Sequence, residues 1–533
     1  MNATYTWLDW SVFSAYFALL IWITWYFSRE KANNTQDYFL GGNKMPIWVV
    51  AISVLATSQS AATFLGGPDQ GYQNDLTYLA TNIGAFIAAF FVAIFLIPKF
   101  YQNNVSTVYE LLEQRFGAQA KRQAGLIYLM GRVFASGARL YMAALAVAMI
   151  LFGNIEASSV IIGIVILTIV GLGYSVKGGI RAVIYSDAIQ CAVYIIAALF
   201  VVYFLYSAIP ADFGQIVDAL NNPHDRELSK LTVFNFNVDF SSAGVFNIWS
   251  ALTGFVLLNI AAFGLDQDMT QRVLTCKNAK EGSKAMVWSV IMVVPVMALF
   301  IAIGLLLYVF YQRPDLMASD AAGLVQSFEG EKITVFMSYI LNEIPPGVRG
   351  LVTVGVIAAA LSTLNSGLNS MSSVLVQDIY RPWHESKNKA TDPRHYVKAG
   401  QAGMVLAALA LSGMAILCFY WQQYTDMPLL AFALSVMVFS YSGLLGVYFT
   451  VLFTKRGNKH SVLAALIVGF VTTLFFQPYI LSGLANLLSV PDLANINLGF
   501  TWQLCIGTLA AFITCCLGKK LSTVETESKQ CAA

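Results

Sequence analysis

The sequence predicts an all-α polytopic membrane protein with about thirteen transmembrane helices. The chain has 533 residues, of which 57% are hydrophobic and only 11% are charged, and its mean hydropathy is +0.65. Soluble domains carry about 25% charged residues, so the composition excludes an ordinary soluble protein. The segments that are long and apolar enough to cross a bilayer lie near 7–27, 46–66, 76–100, 123–152, 158–176, 182–207, 244–266, 284–311, 348–376, 398–420, 427–453, 461–485 and 498–517.

Basic residues between these segments predict how the chain is oriented. An odd number of spans places the two termini on opposite sides of the membrane. Most of the 31 lysines and arginines, Arg272 among them, then fall on the same side as the C-terminus. Cytoplasmic loops are enriched in Lys and Arg. We therefore expect the N-terminus outside, the C-terminus in the cytoplasm, and a single transmembrane domain over residues 1–533.

Neither the charge nor the motifs of the chain indicate nucleic-acid binding or catalysis. The net charge is only +2, and the seven cysteines show no metal-binding or redox spacing. The sequence contains no nucleotide-binding glycine pattern and no nucleophile elbow. We therefore expect no enzyme activity, no nucleic-acid partner and no obligatory protein partner.

The second span loses its apolar character halfway across. In AISVLATSQSAATFLGGPDQGY (51–72), polar residues at 57–60 are followed by Gly66, Gly67 and Pro68. Where a helix unwinds at membrane depth, its backbone carbonyls lose their amide partners and must face protein, water or an ion. Broken helices of this kind are typical of binding sites at the membrane midplane.

The ninth span carries a dense run of small polar residues, which includes Ser362, Thr363, Asn365 and Ser366. Such residues let transmembrane helices pack closely, and their hydroxyls can bond to their own helix. Their oxygens could equally bind a hard cation. Asp187 in the sixth span favours the second interpretation, because a carboxylate inside lipid is costly without a partner.

Two arginines in the fourth span, Arg132 and Arg139, are seven residues apart and share one helix face. One interpretation is that a guanidinium grips an anionic solute through a bidentate contact. The other is that it pairs with a carboxylate or with free carbonyls inside the bundle. The sequence leaves both open.

Four motifs carry a resemblance to a known family. They are DYFLGG (37–42), GGIRAVIYSDAIQ (178–190), DQDMTQR (266–272) and LSTLNSGLNSMSSVLVQDIY (361–380). Over about residues 5–520 the chain resembles the sodium:solute symporter family, which includes sodium/glucose cotransporters and the bacterial sialic acid and proline carriers. The resemblance implies a core of the leucine-transporter type, with two inverted five-helix repeats at 46–207 and 244–453, an extra helix at 7–27 and two C-terminal helices at 461–517.

The resemblance also implies where sodium binds. The ligands of the principal sodium site would be the backbone carbonyls of Ala56, Gln59 and Ala359 and the hydroxyls of Ser362 and Thr363.

Some members of the family bind a second sodium ion. Asp187, Ser362 and Ser366 match that second site, whereas Asn365 stands where a serine or threonine is expected. The amide oxygen of Asn365 can still ligate sodium. The resemblance therefore implies at least one sodium ion and leaves a second open.

The solute site follows from similarity to the sialic acid carriers. Ser58, Ser60 and Thr63 would line the solute cavity, and Asn82 stands where those carriers have glutamine. Their carboxylate-binding arginine falls at Ala135, and the nearest arginines here, Arg132 and Arg139, lie about one turn to either side. We therefore expect both arginines at the solute site.

Galactose carriers match this chain less well. Asn259 is shared with them, but Ala62 and Thr63 replace an acidic–amide pair, Ala262 replaces an inner gating tyrosine, and Ile291 replaces a sugar-contacting lysine. These differences favour a sugar acid over a neutral hexose.

Taken together, the chain is predicted to import a small polar organic solute with sodium by alternating access. The solute would be a sugar or a sugar acid of the sialate or uronate type. The expected location is the plasma membrane, in a bacterium the inner membrane, with the lipid bilayer as surroundings. The alternatives are a sodium symporter for another organic solute (a neutral sugar, an amino acid or a carboxylate) and a membrane sensor of the same fold.

Overall fold

Membrane-length helices dominate the computed structural model, as the composition predicts. The described residues are 5–27, 29, 32–317, 327–328, 331–332, 334–387, 392–422 and 429–519. Within these ranges the only strands are β1 (Ser327–Phe328) and β2 (Glu331–Lys332), which pair antiparallel. The all-α prediction is therefore confirmed.

The helices fall into two sets, one on each side of a long loop that begins after Asn221. Those of the first half are α1 (Trp7–Phe27), α2 (Thr35–Leu40), α3 (Ile47–Ser58), α4 (Ala61–Gln73), α5 (Thr77–Phe91), α6 (Ile97–Gln102), α7 (Glu110–Phe116), α8 (Ala118–Phe152), α9 (Ala157–Ala208) and α10 (Phe213–Asn221). Those of the second half are α11 (Ile248–Leu252), α12 (Gly254–Gly264), α13 (Gln267–Val273), α14 (Ala279–Gln312), α15 (Val335–Asn342), α16 (Val348–Val374), α17 (Arg381–Glu385), α18 (Pro393–Gln422), α19 (Leu429–Phe453), α20 (Lys459–Phe475), α21 (Pro478–Leu488) and α22 (Phe500–Cys516).

Each predicted span has a helical counterpart. In the described part of the chain, 8 helices are long and apolar enough to cross a membrane, or up to 11 spans if each bent pair of helices counts as one. Helix α9 has 52 residues and is interrupted at Gly179, where φ is 57°. At 1.5 Å per residue it is about 78 Å long, more than twice a hydrocarbon core of about 30 Å. It therefore holds the fifth and sixth predicted spans, and the 17-residue α22 holds the last.

Two of the bent spans shape the centre of the bundle. Helix α3 meets the segment before it, Thr35–Asn43, at 113°, and α13 is bent by 57° from α11 and α12. Asp266 caps the start of α13, where its side chain accepts from the Asp268 amide. The bend at Asp266 leaves the polar residues of α13 buried inside the bundle.

Helices α4 and α14 touch through their backbones. A Cβ on Gly304 would lie 2.0 Å from the carbonyl oxygen of Pro68, and one on Gly71 would lie 2.2 Å from that of Ile301. Only glycine allows two transmembrane helices to approach so closely.

Helix α16 is the most deeply buried of the membrane-length helices that the structure describes. From Val352 to Val374 every residue is buried, and the helix packs against α3, α8, α9 and α18. Asp9 of α1 anchors the start of α16, because the Asp9 Oδ1 accepts hydrogen bonds from the amides of Gly347 and Gly350 at 2.8 and 2.7 Å. The polar run of the ninth span is therefore fixed inside the bundle.

Candidate functional site

The backbone between α3 and α4 is unwound, as the sequence predicts. Gln59 and Ser60 have extended conformations (φ −88°, ψ 127° and φ −131°, ψ 177°). The Gln59 amide still donates to Leu55 O at 3.0 Å, whereas the amides of Thr63 and Phe64, at the start of α4, both donate to Ser60 O at 2.9 Å. The carbonyl of Ala56 therefore lacks the amide that a continuous helix would supply at residue 60.

Helix α16 passes beside this break. The hydroxyl oxygens of Thr57 and Ser366 are 3.2 Å apart, which ties α3 to α16. One turn earlier on α16, the Thr363 hydroxyl donates to Ala359 O at 3.2 Å. The structure thus places the predicted principal sodium ligands of α16 beside the broken helix, where both Ala56 and Gln59 are buried. Their role as ligands stays a prediction.

Asp187 lies among the residues of the predicted second sodium site. Its Oδ1 accepts from the Ser362 hydroxyl at 2.7 Å, and its Oδ2 accepts from Ser53 at 2.5 Å. The guanidinium of Arg272 also reaches Oδ2, with Nη2 at 3.1 Å and Nε at 3.3 Å. A cation of the chain itself is therefore already bound at this carboxylate.

Arg272 corrects one sequence-based assignment. The orientation argument counted it with the cytoplasmic loops, but it lies in α13 and is 0% exposed. The sequence placed the end of the seventh span at about residue 266, whereas the bend at Asp266 carries the chain back into the bundle as α13.

The pair Asp187–Arg272 is one end of a buried charge network. Asp268 binds both arginines, with Oδ1 accepting from Arg272 Nη1 at 3.0 Å and Oδ2 accepting from Arg132 Nη2. Arg132 also donates to Asp266 Oδ2 at 3.1 Å. The network leads from the predicted second sodium site to α8, and we call these five residues the buried charge network.

A cavity of about 120 Å³ lies at the other end of the network. All the residues predicted to bind solute are on its wall: Ser58, Ser60, Thr63, Asn82, Arg132, Arg139 and Asn259. The break between α3 and α4 opens directly onto this cavity, because Gln59 lines it too. The structure therefore brings the predicted solute residues together, although nothing in it tests which of them contacts the solute.

The two arginines of α8 differ in their partners. Arg132 is buried and paired with two carboxylates, which is the second of the interpretations left open above. Arg139 makes no ion pair within the described residues. Its Nη2 lies 3.3 Å from the sulfur of Met437, and its buried Nε has no hydrogen-bond partner. A guanidinium beside a polar cavity is thus left with unused donors.

Several buried polar atoms around the site have no partner in the described part of the chain. They include Oε1 of Gln59 and both side-chain atoms of Asn365. Buried polar groups are nearly always hydrogen-bonded, so such atoms mark places where a ligand, an ion or water belongs. These atoms lie on both helices of the predicted sodium sites.

Sequence reasoning missed the acidic side of the network and part of the cavity wall. Asp266, Asp268 and Arg272 belong to the motif DQDMTQR, but no role was assigned to them. Tyr441, which donates to Asp266 Oδ2 at 2.6 Å, also lines the cavity. The available signal was three charged residues within seven positions directly after an apolar span.

Comparison with known proteins supports the same interpretation. The family model of the sodium:solute symporter family matches residues 38–469. A sodium/sialic acid symporter of Proteus mirabilis is 27% identical over 471 residues, which cover 88% of this chain and 89% of that protein. A sodium/glucose cotransporter of Vibrio parahaemolyticus is 26% identical over 491 residues, covering 88% and 85% of the two chains.

The fold is that of a solved transporter. A substrate-bound, outward-open structure of a Na⁺-coupled sialic acid symporter superposes with a TM-score of 0.77 at 24% identity, covering 97% of this chain and all of the other. That likeness confirms the predicted leucine-transporter type of core. The chain therefore belongs to the sodium:solute symporter family, as a multi-pass membrane protein that couples the transport of a small solute to sodium.

Proposed function

We propose that this protein imports a sugar acid of the sialate or uronate type together with sodium, by alternating access, and that it is a carrier without catalytic activity. The observation that carries the proposal is Arg139, whose guanidinium lies at the solute cavity without a carboxylate partner among the described residues. An unpaired charge in a cavity inside a membrane is costly. A solute carboxylate would supply the missing partner.

The charge of the site supports an anionic solute. The buried charge network has three carboxylates and two guanidiniums, and Arg139 adds a third guanidinium close to it. A monovalent acid that arrives with one sodium ion leaves this balance unchanged. A neutral sugar with one sodium ion would add a positive charge.

The relatives support the same solute class. Two bacterial relatives, at 27% identity, are sodium/sialic acid symporters, and a mouse relative at 26% identity is a sodium-coupled monocarboxylate transporter. A carboxylate is common to their solutes. The sodium/glucose cotransporter at 26% identity keeps a neutral sugar as the second candidate.

For sodium, we propose the principal site at Ala56, Gln59, Ala359, Ser362 and Thr363. The unwound backbone at 59–60 and the contact between Thr57 and Ser366 support this placement.

We further propose two inverted repeats, 46–207 and 244–453, with α1, α20, α21 and α22 outside them. We also propose that the C-terminus lies in the cytoplasm, which the basic loops support, and that the protein lies in the inner membrane of a bacterium.

One uptake experiment tests the proposed function. The purified protein in liposomes is offered N-acetylneuraminate, glucuronate or galactose, with an inward gradient of sodium or of potassium. We expect uptake of an acidic sugar that depends on sodium and is not reduced by excess galactose. Sodium-dependent uptake of galactose alone would replace the sugar acid with a neutral sugar, and uptake indifferent to sodium would refute symport.

A further inference from the structure

We infer that a groove between α16 and α18 binds an anionic phospholipid, with an acyl chain along its apolar walls and the headgroup phosphate at Lys398. The groove lies on the surface of the helix bundle and shares no lining residue with the solute cavity. The inference depends on neither the solute nor the ion coupling of the proposed function.

The groove is formed by two neighbouring helices. One wall is a face of α18, and the other is the π-helical segment that continues α16, Leu375–Tyr380. The groove has a volume of about 760 Å³, and its apolar lining residues are Leu375, Val376, Ile379, Ala399, Ala402, Gly403 and Leu406. The two helices are joined next to it, because the Ser372 hydroxyl donates to Gly400 O at 2.6 Å. The walls are therefore held at a fixed distance from each other.

The position of the groove matches a single lipid leaflet. Leu406 in its lining is 59% exposed, and Leu409 on the same membrane-spanning helix is 66% exposed, so this face of α18 meets lipid. From His395 to Leu406 the lining follows α18 for about 16 Å, at a rise of about 1.5 Å per residue. This length is about half of a hydrocarbon core of about 30 Å. An acyl chain of one leaflet therefore fits the groove along its whole length.

The groove ends in aromatic and basic side chains. Tyr380, Trp383, His395 and Lys398 line that end. Lys398 is exposed, and within the described residues it makes no hydrogen bond or ion pair. Lys387 lies close by, with its Nζ 3.8 Å from the centre of the Trp383 ring. An unpaired ammonium group therefore stands where the apolar lining ends, at the level of a phosphate headgroup.

Side-chain contacts hold this end of the groove together. Tyr380 Oη and His395 Nε2 are 2.8 Å apart, which joins the continuation of α16 to the first turn of α18. The rings of His384 and His395 stack with their centroids 4.9 Å apart. These contacts fix the two helix ends that carry Trp383 and Lys398, so the site is formed before a lipid binds.

The charge around this end favours an anion. From Arg381 to Lys398 the sequence carries five lysines and arginines and only two acidic residues. Glu385, one of these two, is already paired with Arg381 at 2.8 Å. Basic pockets between transmembrane helices bind anionic lipid headgroups on the cytoplasmic side, which is the side proposed above for these residues. A zwitterionic lipid would bring a further positive charge towards the cluster, so an anionic phospholipid fits it better.

The experiment measures lipid binding to the full-length protein, delipidated in a non-ionic detergent, by native mass spectrometry. Dioleoylphosphatidylglycerol and dioleoylphosphatidylcholine have the same acyl chains and differ in headgroup charge. For the wild type we expect the first phosphatidylglycerol to bind about tenfold or more tightly than the first phosphatidylcholine, since several basic residues contribute. Equal affinities would overturn the inference, because the groove would then be an ordinary lipid-facing surface.

Two lysine substitutions test the headgroup. Lys398→Gln should weaken phosphatidylglycerol binding about fivefold, the usual contribution of one basic residue near a membrane surface, and leave phosphatidylcholine binding unchanged. Lys459→Gln is the matched control, because Lys459 is an exposed lysine at the start of α20 and does not line the groove. Equal losses in the two variants would assign the effect to general surface charge and contradict the proposed site.

Two further substitutions in α18 test the apolar walls. Ala402→Trp places an indole in the groove and should abolish the tight binding of phosphatidylglycerol. Ala410→Trp is the control, because Ala410 is exposed on the same helix but lies outside the groove lining. Ala402 is exposed too, so neither indole enters the packed core.

Two other results would also overturn the inference. One is unchanged phosphatidylglycerol binding in Ala402→Trp. The other is competition by inorganic phosphate at concentrations equal to those of the lipid, because the basic cluster would then bind a soluble anion. None of these measurements involves uptake, so their failure would leave the proposed function intact.

Discussion

Thr57 and Ser366 face each other across the two helices that sodium is proposed to join, with their hydroxyl oxygens 3.2 Å apart. Thr57 lies two residues before the unwound backbone at Gln59, and Ser366 lies one turn after Ser362 on α16. A cation between these helices would draw oxygens from both, so its binding should hold α3 and α16 together.

The first prediction concerns the hydroxyls of the principal sodium site. Ser362→Ala or Thr363→Ala removes one oxygen from a small coordination set. The apparent sodium affinity should fall about tenfold or more, which corresponds to roughly 1.4 kcal/mol. Sodium titrations of uptake and of melting temperature measure it. Ser372→Ala is the matched control, because this hydroxyl of the same helix donates to Gly400 O at 2.6 Å, away from the break.

The second prediction concerns the solute anchor. Arg139→Ala should raise the half-saturating concentration of an acidic solute, because the carboxylate loses its cation. Arg139→Lys should restore little of the affinity, since lysine lacks the planar fork of donors. Sodium-induced stabilisation should persist in both proteins. Undiminished binding of N-acetylneuraminate in a well-folded Arg139→Ala protein would remove this residue from the solute site.

A third prediction separates Arg132 from Arg139. Arg132 holds Asp266 and Asp268, so Arg132→Met leaves two buried carboxylates short of a partner. Breaking a buried ion pair costs about 3–5 kcal/mol. The melting temperature should therefore fall with or without solute. Arg226→Met is the control, because its 2.9 Å pair with Asp75 is partly exposed and should be worth only about 0–1 kcal/mol.

Helix packing gives a fourth prediction. Gly304→Ala would drive a methyl group to 2.0 Å from Pro68 O, so α4 and α14 must separate. We expect a marked loss of folded protein, measured by size-exclusion chromatography in detergent. Gly173→Ala on α9 meets no atom within 4 Å and should be tolerated. Equal yields from the two variants would show that the backbone contact does not limit folding.

The sequence predicts the spans and the break well because both are local signals. Apolar runs of membrane length are visible residue by residue, and so are the polar residues at 57–60. Gly66, Gly67 and Pro68, which also suggested an interrupted helix, lie inside α4 instead. The residues that line the cavity could be predicted because the chain resembles carriers whose solute-binding residues are known. Such a resemblance carries information about the three-dimensional arrangement that the sequence alone does not.

Partners in the buried charge network could not be predicted in this way. Arg272 lies 85 positions from Asp187, and Arg132 lies 134 positions from Asp266. Charge and spacing along one helix do not show which face of a distant helix it meets. The return of the chain into the bundle after Asp266 was invisible for a related reason, because hydropathy alone ends a span at the first cluster of charges.

The buried charge network stays with the protein, so whatever charge it moves in one half of the transport cycle it returns in the other. Only sodium and solute then carry net charge across the bilayer, and a carrier that moves one sodium ion and one monovalent acid in each cycle transfers none. A potential of 100 mV, worth about 2.3 kcal/mol for each charge moved, then adds nothing to solute accumulation. Clamping the liposome potential with potassium and valinomycin should leave the accumulation of N-acetylneuraminate unchanged at a fixed sodium gradient, whereas accumulation that grows with an inside-negative potential would show that a second cation travels with the solute.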